Sequence, residues 1–323
     1  MKKIGILTSG GDAPGMNSCI RSIVITAMHY QINCIGIMNG YNGLIQSDTI
    51  ELSLKNISHS MSLGGTILKT SRSKGFFTYE GRQKAFENYQ SLGLDGLIVI
   101  GGDGSFRGAK AFQDEFGVSV IGIPGTIDND LSGTDYTIGY DTAINTAMHA
   151  LDQIRDTAQS HNRVFFVELM GHDAGLIAIR SGLAAGAEDI HIPEIKTDIP
   201  VLMEKISQKP ANESMIIVVS EGDEYDTFEL ANRAKSNFPE LEIKTLILGH
   251  LQRGGSPTAF DRLLASRFGL TAVKALVEGE SGLATGILNG QVQLIPLQKV
   301  EKHLNYVKPH LLELMHFLCD DLK

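Results

Sequence analysis

Residues 95–130, DGLIVIGGDGSFRGAKAFQDEFGVSVIGIPGTIDND, constrain this chain more than any other stretch. Residues 97–100 form a short apolar run, the mark of a strand buried on both faces. The loop Gly101-Gly102-Asp103-Gly104-Ser105 follows, then a helical segment to about Phe116. Residues 118–123 read as a second buried strand and residues 124–130 as a second loop. Strand, loop, helix, strand, loop is a βαβ unit, and open α/β sheets carry their chemistry in loops beyond the carboxyl ends of the strands. Glycines let backbone N–H groups approach an anion, and a helix N-terminus adds a favourable dipole. Asp103 can reach a hard cation such as Mg²⁺, while Asp128 and Asp130 offer a base and a second acceptor. Tight turns use these same residue types; two such loops on successive strands point to phosphate chemistry.

The rest of the chain is consistent with a soluble α/β enzyme. Its 323 residues allow one large or two modest domains. A formal net charge of -9 argues against a nucleic-acid surface, which needs a basic stripe. An anionic substrate stays open, because local arginines can oppose the global sign. The three cysteines, Cys19, Cys34 and Cys319, lack metal-ligand spacing, and an odd count suggests a reducing cytosol. The N-terminus reads as a first strand rather than a signal peptide, no apolar run is long enough to span a membrane, and a cytoplasmic location is expected.

Along the chain, residues 4–7 read as strand one and residues 8–15 as a Gly-rich loop. A helix then runs to about Tyr30, with Pro14 suited to its first turn. Backbone N–H groups near Gly11 could hold a phosphate, but no Lys-Ser/Thr follows, so this is not a Walker P-loop. The loop also lacks Gly-x-Gly-x-x-Gly, which sets a dehydrogenase aside. Residues 34–38 make the next strand, and residues 80–91 a surface helix. Tyr41 reads either as a partly buried aromatic or as a ligand contact. Arg72, a lone arginine, follows Gly-Gly-Thr. Residues 141–160 form a long helix whose Ile144, Ala147, Leu151, Ile154 and Ala158 make one buried stripe. Strands follow at 164–167, 215–219 and 243–248. Asn289-Gly290 signals a hairpin, and residues 302–323 end in an amphipathic helix.

GGDGS followed by PGTIDND resembles the bacterial ATP-dependent 6-phosphofructokinase family. LTSGGDAPGMN (7–17), the segment around Arg72, IRDTAQSHNR (154–163) and GHLQRGGSP (249–257) extend that resemblance over nearly the whole chain. It implies two Rossmann-like three-layer lobes with mostly parallel sheets: residues 1–138 with 251–300 for ATP, and 139–250 with 301–323 for the sugar phosphate. It implies phosphoryl transfer from MgATP to the 1-hydroxyl of fructose 6-phosphate, and a homotetramer with sites at subunit boundaries. By this resemblance Asp128 is the base, Thr126 orients the transferring group, and Asp103 holds Mg²⁺ with Asp130 in support. Gly11, Tyr41, Arg72, Gly102, Gly104, Ser105 and Gly108 line the nucleotide, and Arg72 bridges both substrates. Ile127, Met170, Gly171, His172, Glu221, His250 and Arg253 meet the sugar phosphate, joined by Arg163 and Lys244 from a neighbouring subunit. In relatives that use pyrophosphate, Asp and Lys stand at the positions of Gly104 and Gly125. An Asp there fills the space of the α-phosphate and a Lys takes over its neutralisation, so two glycines favour ATP.

The chain departs from the family pattern in three places. His172 stands where Arg is usual. Lys244 stands for the neighbour-donated second Arg, trading a bidentate fork for a point charge. Arg21, Arg155, Gly186 and Glu188 match an effector site for ADP or phosphoenolpyruvate, yet Ile25 replaces a usual base, His59 a usual acid, and Asn212-Glu213 a basic stretch. Weaker fructose 6-phosphate binding and blunted effector control are expected. Two rival readings remain: an ATP kinase for another ketose phosphate such as tagatose 6-phosphate, and a catalytically weak sugar-phosphate sensor.

Overall fold

The computed structural model describes residues 1–302 and 307–320. Among them are strands β1 (Lys3–Ser9), β2 (Asn33–Ile37), β3 (Thr49–Leu52), β4 (Gly96–Gly101), β5 (Val120–Pro124) and β6 (Val164–Leu169). Strands β7 (Asp189–His191), β8 (Met215–Ser220), β9 (Ile243–Ile247), β10 (Leu283–Leu288) and β11 (Gln291–Pro296) follow. The chain divides into two compact units. The first holds Met1–Ile127, Leu131–Thr142 and Arg253–Lys302; the second holds Asp128–Asp130, Ala143–Gln252 and the described residues after 302.

The first unit is built on a seven-stranded sheet in the order β11-β10-β5-β4-β1-β2-β3. Its centre is parallel, with antiparallel pairs only at the two edges. The residues of β4 and β5 are buried throughout, as a parallel sheet covered on both faces requires. From β1 the chain moves one way to β2 and later the other way to β4, so the order reverses between β1 and β4. That reversal is where open α/β sheets bind ligands. Register brings the strand ends level: Ser9 pairs with Gly101, and Gly101 with Pro124. The loops after β1, β4 and β5 therefore open on one edge. Phe106 and Phe112, on helix Asp103–Phe116, pack with Tyr41, Phe76 and Tyr89 beneath that edge. Burying each such ring stabilises the fold by roughly 1.5–3 kcal/mol. The Asn289-Gly290 turn joins β10 to β11 with φ of 51° and 78°, the primed geometry that two-residue hairpins favour.

The second unit has a parallel four-stranded sheet, β7-β8-β6-β9. Its carboxyl ends are also level, since Glu221 N donates to Leu169 O at 2.8 Å and Leu248 N to Glu168 O at 3.0 Å. Val164, Phe166, Ile217, Leu230 and Ile206 form its core. The helix expected at the end of residues 302–323 is, among the described residues, a short helix Pro309–Met315 followed by a π turn to Asp320. Pro309 fixes its start, because proline suits the first turn, where no N–H donor is needed. Residues 303–306 and 321–323 lie outside the described residues.

Candidate active site

In the first unit, three loops stand at the carboxyl edge of the sheet. The first, after β1, turns at Gly10 and Gly15, both with positive φ, and leads into helix Met16–His29. Gly11 lies close against the Arg253 guanidinium: a Cβ there would stand 2.5 Å from Arg253 Nη1, so the arginine would have to shift. The same guanidinium donates to Asp12 O at 3.2 Å. Thr70 Oγ1 donates to Gly10 O at 2.9 Å, which anchors the segment that carries exposed Arg72 beside this loop.

The second loop opens helix Asp103–Phe116. Asp103 stands in the first turn, where a carboxylate complements the helix dipole, and Arg107 Nη2 lies 2.9 Å from Asp103 Oδ2. Among the described residues no group of three or more His, Cys, Asp or Glu stands together as a metal cage. A Cβ on Gly104 would meet nothing within 4 Å, so the space above this turn is open. Gly125, in the third loop, differs: a Cβ there would lie 3.0 Å from Ile100 Cγ2 and 3.1 Å from Met16 Cε. Gly125 thus sits in tight packing that a side chain would have to displace, while glycine at 104 is demanded by nothing inside the chain. The second and third loops approach each other, since a Cβ on Gly102 would fall 3.9 Å from Thr126 Cβ. Thr137 Oγ1 donates to Thr126 O at 2.6 Å and steadies the third loop.

Three of the expected ligand-contact residues have buried side chains. Tyr41 is 4 % exposed, stacks on Phe76 at 3.9 Å and donates its hydroxyl to Ser105 O at 2.6 Å. Burial pushes its phenol well above the ordinary range. It supports the second loop from below, and Gly108 is small because a Cβ there would be 3.1 Å from the Tyr41 ring. Ser105 is also buried, with its hydroxyl spent on Ser9 O at 3.0 Å. That bond ties the second loop to the first. The Ile127 side chain is fully buried and can contribute only backbone.

The chain passes into the second unit within the third loop, at Asp128. Asp130 is buried and Asp128 half-buried, and Asn129 between them adopts φ of 54°. After β6, the turn holding buried Met170, Gly171 and His172 is fixed by Glu221, which follows β8. Glu221 Oε1 accepts from His172 N at 2.7 Å and from Gly171 N at 3.2 Å. One oxygen of Glu221 therefore shapes the turn. His172 Nδ1 lies 2.9 Å from Asp173 Oδ2, on an exposed surface. His250, exposed, sits in the turn Gly249–Arg253 after β9.

Arg163 and Lys244 share one carboxylate. Glu242 Oε2 is 2.8 Å from Arg163 Nε, off the line of its N–H, and Glu242 Oε1 is 3.0 Å from Lys244 Nζ. Those two cations hold the Glu242 carboxyl down to about 2. Of the effector set, Arg155 Nη1 meets Glu188 Oε1 at 2.6 Å and a second nitrogen donates to Gly186 O. The other Glu188 oxygen accepts from Ile216 N at 2.6 Å. Arg155 thus has an internal carboxylate as its counter-charge. Arg21 belongs to the first unit and is half-buried on helix Met16–His29.

Sequence reasoning missed Arg107, Glu242 and Asp261. Asp261 is fully buried, and burial raises its carboxyl to about 6. The pattern Thr258-x-x-Asp261, a helix-start signature, was the available signal: Asp261 N donates to Thr258 Oγ1 at 3.3 Å.

Known proteins resemble this chain over its whole length. Residues 3–276 match the phosphofructokinase family. The chain is 49% identical over 321 residues to "ATP-dependent 6-phosphofructokinase 1" of Thermus thermophilus, covering 99% of this chain and 100% of that protein. It is 48% identical over 318 residues to "ATP-dependent 6-phosphofructokinase 2" of Bacteroides thetaiotaomicron, covering 98% of each. Phosphofructokinase from Saccharomyces cerevisiae superposes with a TM-score of 0.86 at 36% identity; the match covers 93% of this chain and 45% of the longer yeast chain. A pyrophosphate-dependent phosphofructokinase from Marinobacter aquaeolei also reaches 0.86, at 23% identity over 99% of this chain and 92% of that one, which shows the fold alone.

Proposed function

The chain belongs to the phosphofructokinase family, and from that premise we infer its reaction: transfer of the terminal phosphoryl group of ATP to the 1-hydroxyl of fructose 6-phosphate, a step of glycolysis. The observation that carries the choice of donor is the open space at Gly104, beside three loops of bare backbone amides on one sheet edge. An adenosine donor has an α-phosphate to place there, and pyrophosphate has none.

Phosphoryl transfer depends mostly on positioning and on neutralising charge. The amides near Gly11, Gly102 and Gly104 receive the nucleotide phosphates, and Arg72 opposes charge on the group in transfer. Asp128 takes the proton of the sugar hydroxyl, with Thr126 orienting the phosphoryl group. Mg²⁺ fits a site held by Asp103, with Asp130 in support, once the Asp103 carboxylate leaves Arg107, because the ion keeps phosphates and water in its sphere. Bound there, it would neutralise phosphate charge.

Met170, Glu221, His250 and Arg253 receive the sugar phosphate, and Arg163 and Lys244 reach it from a neighbouring subunit of a homotetramer. Lys244 offers one point charge where a guanidinium would grip two oxygens, which favours weaker hold on the phosphate. No described helix is long and apolar enough to cross a membrane. The test is ADP release coupled to a reporter, with ATP, Mg²⁺ and either fructose 6-phosphate or tagatose 6-phosphate. Turnover confined to fructose 6-phosphate and lost with chelator is expected; none with either sugar would leave the sensor reading standing.

A further inference from the structure

Asp261 is a fully buried carboxylate to which the proposed reaction gives no role. A buried charge is costly unless donors surround it. The start of helix Tyr140–Gln159 supplies donors: Gly139 N to Oδ1 at 2.9 Å, and Thr142 N and Thr142 Oγ1 to Oδ2 at 2.8 and 2.5 Å. The capping is reciprocal. Thr142 Oγ1 accepts from Thr258 N at 3.1 Å, and Thr258 Oγ1 donates to Asp141 Oδ2 at 2.6 Å. Two helix N-termini thus satisfy each other's orphan amides.

A third helix start is packed into the same point. Gly15 precedes helix Met16–His29, and a Cβ there would lie 2.8 Å from Ile138 Cγ2 and 3.5 Å from Asp261 Cβ. A Cβ on Gly139 would lie 2.6 Å from Ala13 Cβ. Both glycines have positive φ, 105° and 101°, so neither can be exchanged without strain. There is no slack between residues 138–139 and residues 13–15. A small shift of Gly139 must move the loop that carries Gly11.

We propose that Asp261 is a positioning residue for the phosphate-facing loop 10–15: it pins Gly139 and Thr142, and through them fixes where the Gly11 backbone stands. Arg253 holds the other side of that loop through Asp12 O. An asparagine has a single acceptor oxygen and would turn its amide donors toward other donors. It therefore cannot replace the carboxylate, although its shape is the same.

The proposal rests on the reading that this loop receives ATP. The test uses the full-length protein and initial rates, varying ATP at saturating fructose 6-phosphate and then the reverse. Asp261→Asn should raise the KM for ATP about tenfold, the size of one lost helix cap or more, with the KM for the sugar within twofold. Thr142→Val, which removes only the hydroxyl, should raise it about threefold. Thr78→Ala removes the cap of the exposed helix Tyr79–Ser91 and serves as a control; it should change melting and neither KM. A folded Asp261→Asn protein with the KM for ATP within twofold, or with both KM values shifted alike, overturns the proposal. Should that variant not fold, an unchanged KM for ATP in Thr142→Val overturns it instead. A wild type that does not turn over ATP refutes the functional reading; a normal wild type with insensitive variants refutes only the role of Asp261.

Discussion

Gly104→Asp separates a structural glycine from a ligand-facing one. A side chain at 104 meets no atom within 4 Å, so the fold has no steric reason to object. Glycine in a helix is worse than an ordinary residue by roughly 0.5–1 kcal/mol, and an acid in the first turn gains about 0.3–1 kcal/mol from the dipole. Melting should therefore stay level or rise slightly. Binding should suffer, because the new carboxylate would stand where the proposed reading puts an α-phosphate. Two unit charges 4–5 Å apart repel by about 3–4 kcal/mol at an effective dielectric of 20. That is a loss of about 10²–10³ in kcat/KM for ATP. The assay is coupled ADP release beside thermal melting of the same samples. Gly125→Ala is the counter-case: its Cβ would stand 3.0 Å from Ile100 Cγ2 and 3.1 Å from Met16 Cε, so its effect should be read in melting rather than in kcat/KM for ATP. If Gly104→Asp melts normally and loses less than fivefold in kcat/KM for ATP, the nucleotide does not use that space and the donor argument fails.

Three further outcomes follow from charge. Lys244→Arg should lower the KM for fructose 6-phosphate at least threefold, measured by steady-state rates; an unchanged value would remove Lys244 from the phosphate site. Millimolar phosphoenolpyruvate should leave the sugar saturation curve in place, because Arg155 already has Glu188 as counter-charge; a clear rightward shift would contradict this. Burial raises Asp261 from 3.8 to about 6, with neighbouring Asp141 adding to the rise and the bonds from Thr142 and Gly139 opposing it. Between about pH 4 and 6 the folded protein keeps a proton that the unfolded chain releases, so stability falls as pH rises through that window. The gap is worth about 3 kcal/mol. Melting of wild type relative to Asp261→Asn should decline from pH 4 to pH 7, and a constant difference would refute the assignment.

The parallel sheets were legible because their strands are short, apolar and ended by glycine, and β4 and β5 run within two residues of their expected limits. Strand β3 escaped because TIEL is only four residues long and mostly exposed at a sheet edge, too short for its alternation to stand out. Within residues 302–323 the amphipathic spacing marks a helix without its start, which Pro309 sets. Motif matching picks out loop residues but cannot tell which side of the loop each occupies. Tyr41 and Ser105 lie beneath it, spent on Ser105 O and Ser9 O, and only contacts in three dimensions reveal that. Asp261 was invisible for a related reason. Its partners, Gly139 and Thr142, lie more than a hundred residues away.

Replacing Asp128 with asparagine is the most direct trial of the central claim, that a carboxylate on the loop after β5 accepts the sugar hydroxyl's proton. The substitution keeps size and removes basicity. The expected result is a fall in turnover of about 10²–10⁴-fold, with both KM values within a few-fold of wild type and melting unchanged. Turnover within threefold of wild type would contradict the account.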